Sequence, residues 1–142
     1  MKTIIVKIAA FLVILATILS LSACDGAHVS SYSATMMVRS STGERCSVRF
    51  GTFEGRLVFK LRVPKGKDSD ISYEASLEEG EINVYYESTS TAGKTELFTV
   101  KGGESENSRS GYVSGGETVY VFVETPSDGG RAKGGDIRIF IN

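Results

Sequence analysis

Apolar and polar residues alternate along most of the chain after residue 33. In LVFKLRV, Leu57, Phe59, Leu61 and Val63 share one face, and Val58, Lys60 and Arg62 share the other. In EINVYYE, Ile82, Val84 and Tyr86 oppose Asn83, Tyr85 and Glu87. TVYVFVE sets Val119, Val121 and Val123 against Tyr120 and Phe122, and DIRIFI sets Ile137, Ile139 and Ile141 against Arg138 and Phe140. A period of two, rich in β-branched and aromatic residues, predicts half-buried strands. ISYEASLEEGE comes closest to a helical stretch, but Ile71, Tyr73, Ala75 and Leu77 alternate there too.

Turn chemistry separates these segments: Ser41-Thr42-Gly43, Pro64-Lys65-Gly66, Gly102-Gly103, Gly115-Gly116, Asp128-Gly129-Gly130 and Gly134-Gly135. Strands are expected near 34–40, 44–50, 55–63, 70–77, 81–88, 94–101, 109–114, 117–124 and 135–141. Eight or nine short strands at this spacing predict an all-β antiparallel sandwich, with a closed barrel as the alternative. TVYVFVE and DIRIFI are apolar on both faces. They therefore sit centrally, or one face carries a further contact.

The first 23 residues follow a different rule. A short start carrying Lys2 and Lys7 precedes IAAFLVILATIL, twelve apolar or small residues from Ile8 to Leu19. That run is short for a bilayer span, which takes about 20 residues, and has the layout of a secretory signal peptide. Its exit, Leu21-Ser22-Ala23-Cys24, resembles the lipobox of bacterial lipoproteins. The resemblance covers residues 1–24. It implies that Cys24 is joined to diacylglycerol, that cleavage falls just before it, and that Leu21, Ser22 and Ala23 are read by the peptidase. Two or three acyl chains make a stable anchor, whereas one holds only marginally. Asp25 resembles an inner-membrane retention signal of such lipoproteins. The expected location is the extracytoplasmic face of the cell membrane. The expected organisation is a leader over 1–23, a lipidated cysteine and flexible tether over 24–33, and an all-β domain over 34–142.

Charge narrows the partners. The chain carries 16 Lys and Arg against 17 Asp and Glu; without residues 1–23 the balance is 14 against 17, a net charge of −3. A mildly acidic domain argues against nucleic acid and against anionic lipid as partners, since both need a basic stripe.

With Cys24 lipidated, Cys46 has no partner for a disulfide, and the fold must rest on its core. Cys46 alternates in phase with Val48 and Phe50 and reads as a small buried hydrophobe. The single histidine, His28, lies in the tether.

Catalytic chemistry is sparse. Without a histidine in the domain, Ser-His-Asp and Cys-His arrangements are not available, and zinc lacks ligands. Ala92-Gly93-Lys94-Thr95 matches the end of a phosphate-binding loop, but Ser88 stands where that motif needs glycine, and LFTV reads as a strand where it needs a helix. Glu74, Glu78, Glu79 and Glu81 read as a solvated edge. Asp68 with Asp70, and Asp128 with Asp136, offer hard oxygen ligands for Ca²⁺ without EF-hand spacing; no cofactor is expected. Tyr85, Tyr120, Phe122 and Phe140, on the outward phase of their strands, are the candidates for a binding surface. GGESENSRSGYVSGG, 102–116, reads as a long polar loop, where binding often resides.

GYVSGGETVYVFVET followed by GGDIRIFI resembles the end of small secreted β-sandwich modules, including the pre-peptidase C-terminal kind. The resemblance implies the fold and little about activity. The expected function is a non-catalytic binding module, with an envelope polymer or a surface protein as partner. The alternative is a structural or assembly lipoprotein without a small ligand. A carboxylate glycosidase is the remaining reading.

Overall fold

The computed structural model describes residues 28–89, 93–128 and 130–142, which form nine β-strands and no helix. In chain order they are β1 (Ser31–Thr35), β2 (Val38–Thr42), β3 (Arg45–Arg62), β4 (Ser69–Glu79), β5 (Glu81–Ser88), β6 (Thr95–Lys101), β7 (Ser105–Val113), β8 (Thr118–Glu124) and β9 (Ala132–Ile141). Every pairing is antiparallel. The expected leader over 1–23 and Leu21-Ser22-Ala23-Cys24 lie outside the described residues.

β3 organises the molecule. Phe53 pairs with Ala34 of β1 and Ala132 of β9; Arg56 pairs with Ser31 of β1 and Glu124 of β8. β9 and β8 therefore follow one another along one edge of β3, while β2 and β1 follow one another along the other. A first layer runs β7-β4-β9 to the first half of β3, and a second runs β6-β5-β8 to its second half. The hydrogen-bonded order is continuous, and the sheet rolls over so that its end strands β6 and β7 lie side by side. β1 flanks the bend of β3 at Gly55, and β2 runs along the same edge beside the first half. β2 pairs with residues 45–49, and beyond it Gly43 O accepts the Arg62 N–H at 2.7 Å.

The two layers enclose the apolar phase of each strand. Phe53, Leu57, Leu61, Ile71, Ile82, Ile137 and Ile139 are fully buried, and the Tyr73 ring stacks on Phe98 at 4.2 Å. Each such side chain contributes about 1.5–3 kcal/mol by leaving water. Cys46 faces this core, and burial pushes its thiol pKa up to about 12.

Five expectations change. The strands expected at 44–50 and 55–63 are one strand of 18 residues. Gly55, at φ +116°, carries the bend, and a Cβ there would fall 2.3 Å from Ser31 O of the adjoining β1. The strand expected at 34–40 is two, broken at Met36 with φ 49°. The tether expected through residue 33 ends earlier, because Ser31, Tyr32 and Ser33 already pair with residues 54–56. Small polar residues hide an edge strand, which needs backbone pairing and no apolar face. The segment 102–116, expected as a polar loop with a strand at 109–114, is mostly β7, paired with β4, whose polar SENSRSGYV masks its first half for the same reason. Lastly, Gly134 and Gly135 lie within β9 instead of in a turn. A Cβ at Gly135 would meet the Phe50 ring at 2.2 Å, so this glycine makes room for a core aromatic.

A candidate binding groove on the outer face of the second layer

The strand register aligns three rows across the outer face of the second layer. Asn83, Glu124 and Arg56 form one; Tyr85, Phe122 and Val58 form the next; Glu87, Tyr120 and Lys60 form the third. The central row is roofed. Lys94 Nζ stands 4.9 Å from the centroids of both Tyr85 and Phe122, and the Arg56 guanidinium stands 5.9 Å from Phe122. Both cations bond the same carboxylate oxygen, Glu124 Oε1, at 2.6 Å from Arg56 Nε and 2.9 Å from Lys94 Nζ. A charge shared between two cations and set on aromatic faces is held more firmly than an exposed surface pair.

His28 closes the other end. Its ring stacks on Tyr120, Nε2 lies 2.9 Å from Glu87 Oε2, and two residues on, the Ser30 hydroxyl accepts the Val58 N–H at 2.9 Å. The chain thus enters the domain strapped across this face.

Beside the strap lies an open groove of about 830 Å³, within the size range of ligand sites. Glu54, Arg56, Asn83, Tyr85, Glu124 and Asp128 are among its lining residues. Its rim is fixed by a reciprocal pair: the Gly55 N–H donates to Thr125 Oγ1 at 2.8 Å, and the Thr125 N–H donates to Gly55 O at 3.0 Å. The Asn83 amide oxygen is held by the Thr99 hydroxyl at 2.8 Å. The Tyr85 hydroxyl is shifted above its ordinary pKa by partial burial and by Glu124, Glu96 and Glu81, so it stays protonated and can donate. The groove therefore combines one aromatic edge with an amide, a guanidinium, carboxylates and a phenol. Such a set offers hydrogen-bond donors and acceptors from several sides.

The structure brings Tyr85, Tyr120 and Phe122 onto one face and leaves Phe140 apart. Phe140 lies on the outer face of the first layer, with the Arg45 guanidinium 5.7 Å from its centroid. Phe122 is wholly buried beneath Arg56, Lys94 and His28 and forms the floor, whereas Tyr85 and Tyr120 are half-buried.

The four aspartates are scattered. Asp68 accepts the Tyr112 hydroxyl at 2.6 Å and the Gly115 N–H at 3.1 Å; Asp70 faces Arg109 at 3.7 Å. Asp136 lies between Arg49 and Arg138, and Asp128 lines the groove. Among the described residues, no three His, Cys, Asp or Glu come together as a metal site. Lys94 is followed by strand β6 and not by the helix of a phosphate-binding loop.

Sequence reasoning missed Arg56, Lys94, Glu124 and the His28 strap. Glu124 was within reach of it, being in phase with Tyr120 and Phe122 at the end of the same strand.

No protein-family model matches the chain, and no curated protein matches it. Among solved structures, it is similar to a mutant of the family 29 carbohydrate-binding module CBM29-2 complexed with mannohexaose, at 15% identity and TM-score 0.41, covering 79% of this chain and 78% of that one. A structure described as "CBM4 structure and function" matches at 14% identity and TM-score 0.40, covering 83% and 81%. The Podospora anserina GH26-CBM35 β-(1,4)-mannanase matches at 16% and 0.42, covering 82% of this chain but 26% of that one. TM-scores of 0.40–0.42 at 14–16% identity place the chain in no family.

Proposed function

We propose that this chain is a non-catalytic binding module of the cell envelope, anchored by lipid on Cys24 at the extracytoplasmic face of the cell membrane, and that the groove beside Tyr85 takes a segment of envelope polysaccharide. The observation that carries the binding reading is the groove itself. An aromatic side chain, a fixed amide and paired charges converge on an open depression of about 830 Å³. Sugars present apolar C–H faces to rings and hydroxyls to amides and carboxylates, and the groove offers both kinds of surface. The anchor rests on the leader and on Leu21-Ser22-Ala23-Cys24.

The test is a thermal-shift screen of the chain isolated from membranes against cell-wall fragments and neutral glycans. A ligand present at a hundred times its Kd stabilises by about 2.7 kcal/mol. Tyr85→Ala should weaken that ligand about tenfold, as loss of a central aromatic contact does, while leaving the unfolding midpoint without ligand close to wild type. A flat response to every glycan would overturn the reading and favour an assembly role without a small ligand. The anchor is tested separately: Cys24→Ala should abolish acyl labelling and leave uncut precursor, and normal labelling would contradict it.

A further inference from the structure

The mildly acidic net charge conceals a sharp asymmetry. Among the described residues, seven Lys and Arg form no ion pair; one, Lys101, ends β6, and the other six are Arg39, Arg45, Lys60, Arg62, Lys65 and Lys67, whereas the cations near the groove and on β9 are paired. All six belong to β2, the parts of β3 that flank it, or the β3–β4 turn. Four of them, Arg39, Arg45, Lys60 and Lys67, line adjoining depressions. Arg39 and Lys60 line one of about 390 Å³, which shares Ser40 with a second of about 260 Å³ lined by Arg45 and Arg138. Arg45 also lines a third with Lys67 and Glu44. The first two contain no carboxylate. Other acids on this side are engaged: Asp68 and Glu117 accept N–H groups of the 114–115 turn.

Two more features share this side. Met36 and Val38, where β1 gives way to β2, are 82% and 69% exposed. The strap also ends here, because His28 stacks on Tyr120, the cross-strand partner of Lys60. From Cys24 to His28 an extended chain spans at most about 14 Å.

We infer that the β2 side of the sandwich docks on the surface of an anionic bilayer, with Met36 and Val38 at the headgroup boundary and the unpaired cations on lipid phosphates. Exposed apolar side chains beside unpaired cations are the composition of an interfacial membrane surface. Each Lys or Arg near such a surface strengthens attachment by about fivefold. A contact too weak to hold a free protein is well populated when a short leash keeps the domain at the membrane, which acts as a high effective concentration. Docking this way also fixes which side of the domain faces away from the lipid. The leash rests on the proposed anchor; the charged and apolar surface does not.

Hydrogen exchange tests it on the chain isolated from membranes and reconstituted in phosphatidylglycerol or phosphatidylcholine vesicles. Peptides covering residues 36–42 should exchange severalfold more slowly with phosphatidylglycerol, while β6 and β7 peptides exchange alike in both. The combined Arg39→Ser, Arg45→Ser and Lys60→Ser variant should lose the difference while remaining on the vesicles and keeping core protection in β9. Lys60→Gln alone should reduce it, covering the case in which the triple variant is unstable. Equal exchange in both lipids would overturn the inference. So would protection of 36–42 by added polyglutamate but not by phosphatidylglycerol, which would assign the strip to an acidic polymer. The mass of the N-terminal peptide reports acylation independently. Protection without a lipid would sink the anchor and keep the docking; a lipid without protection would do the reverse.

Discussion

The ring of His28 lies flat against Tyr120, with centroids 3.7 Å apart and planes 8° from parallel. One stack and one bond to Glu87 hold the entering chain on the face that carries the candidate groove. The side chain remains 38% exposed, so the clamp contributes modestly.

His28→Ala should therefore cost about 1 kcal/mol, the scale of an aromatic pair, measured by urea unfolding. Amide exchange at residues 28–31 should rise more than tenfold. His28→Phe should restore most of the stability by keeping the ring. Unchanged exchange in the alanine variant would mean that the strap is held by β1 and by the Ser30 hydroxyl on Val58.

Gly55 makes the bend in β3 and the approach of β1 possible together. Gly55→Ala should cost about 2–3 kcal/mol, from backbone strain and displacement of Ser31. Gly66, at φ +77° with nothing within 4 Å of its Cβ position, is the control, and Gly66→Ala should cost about 1 kcal/mol. Equal midpoint shifts for the two would show that the clash with Ser31 is relieved without loss.

Cys46 gives a pH signature. Its thiol is raised from 9.0 to about 12 by burial. Between those values the unfolded chain has released a proton that the folded chain keeps, so stability falls as pH rises. Wild type should lose more stability than Cys46→Ala between about pH 8 and about pH 10.5 in paired denaturation curves. Parallel curves would contradict the buried assignment. In the native protein the thiol should resist thiol-specific reagents until unfolding exposes it.

Asp68 behaves in the opposite sense. Hydrogen bonds from the Tyr112 hydroxyl and the Gly115 N–H lower its pKa from 3.8. The latch between the β3–β4 turn and the β7–β8 turn is fully present above that value and is lost as pH falls through the lower, folded one. Asp68→Asn should be less stable than wild type near neutral pH, and the gap should narrow in acid. A gap independent of pH would place the effect in packing instead of charge.

Much of this architecture was legible in the alternation. Ile71, Tyr73, Ala75 and Leu77 marked β4 even where a helix competed, because a strand buried on one face must repeat every two residues. Polar edge strands were found only in part, as 34–40 and 109–114, since β1, β2 and β7 carry little apolar phase to detect. Side-chain phase also gives the face of a strand without its layer. Tyr85, Tyr120 and Phe122 share a surface because β5 and β8 are neighbours, while Phe140 follows β9 into the other layer. The strap and the roof over Phe122 were out of reach for a different reason. His28 and Glu87 are 59 residues apart, Lys94 and Glu124 are 30 apart, and no local pattern records such meetings.

β9 comes last among these strands yet lies between β3 and β4, with Arg45 and Ser72 both paired to Phe140. The first layer therefore has a missing centre until residues 132–141 arrive. Pairings of such long sequence separation form slowly, because the intervening loop must close first. A nascent or translocating chain should accordingly stay open and threadable almost to its end, then complete the layer in one late step. A premature stop before β9 would leave no smaller domain behind, only two strands with unfilled inner edges and a strong tendency to associate.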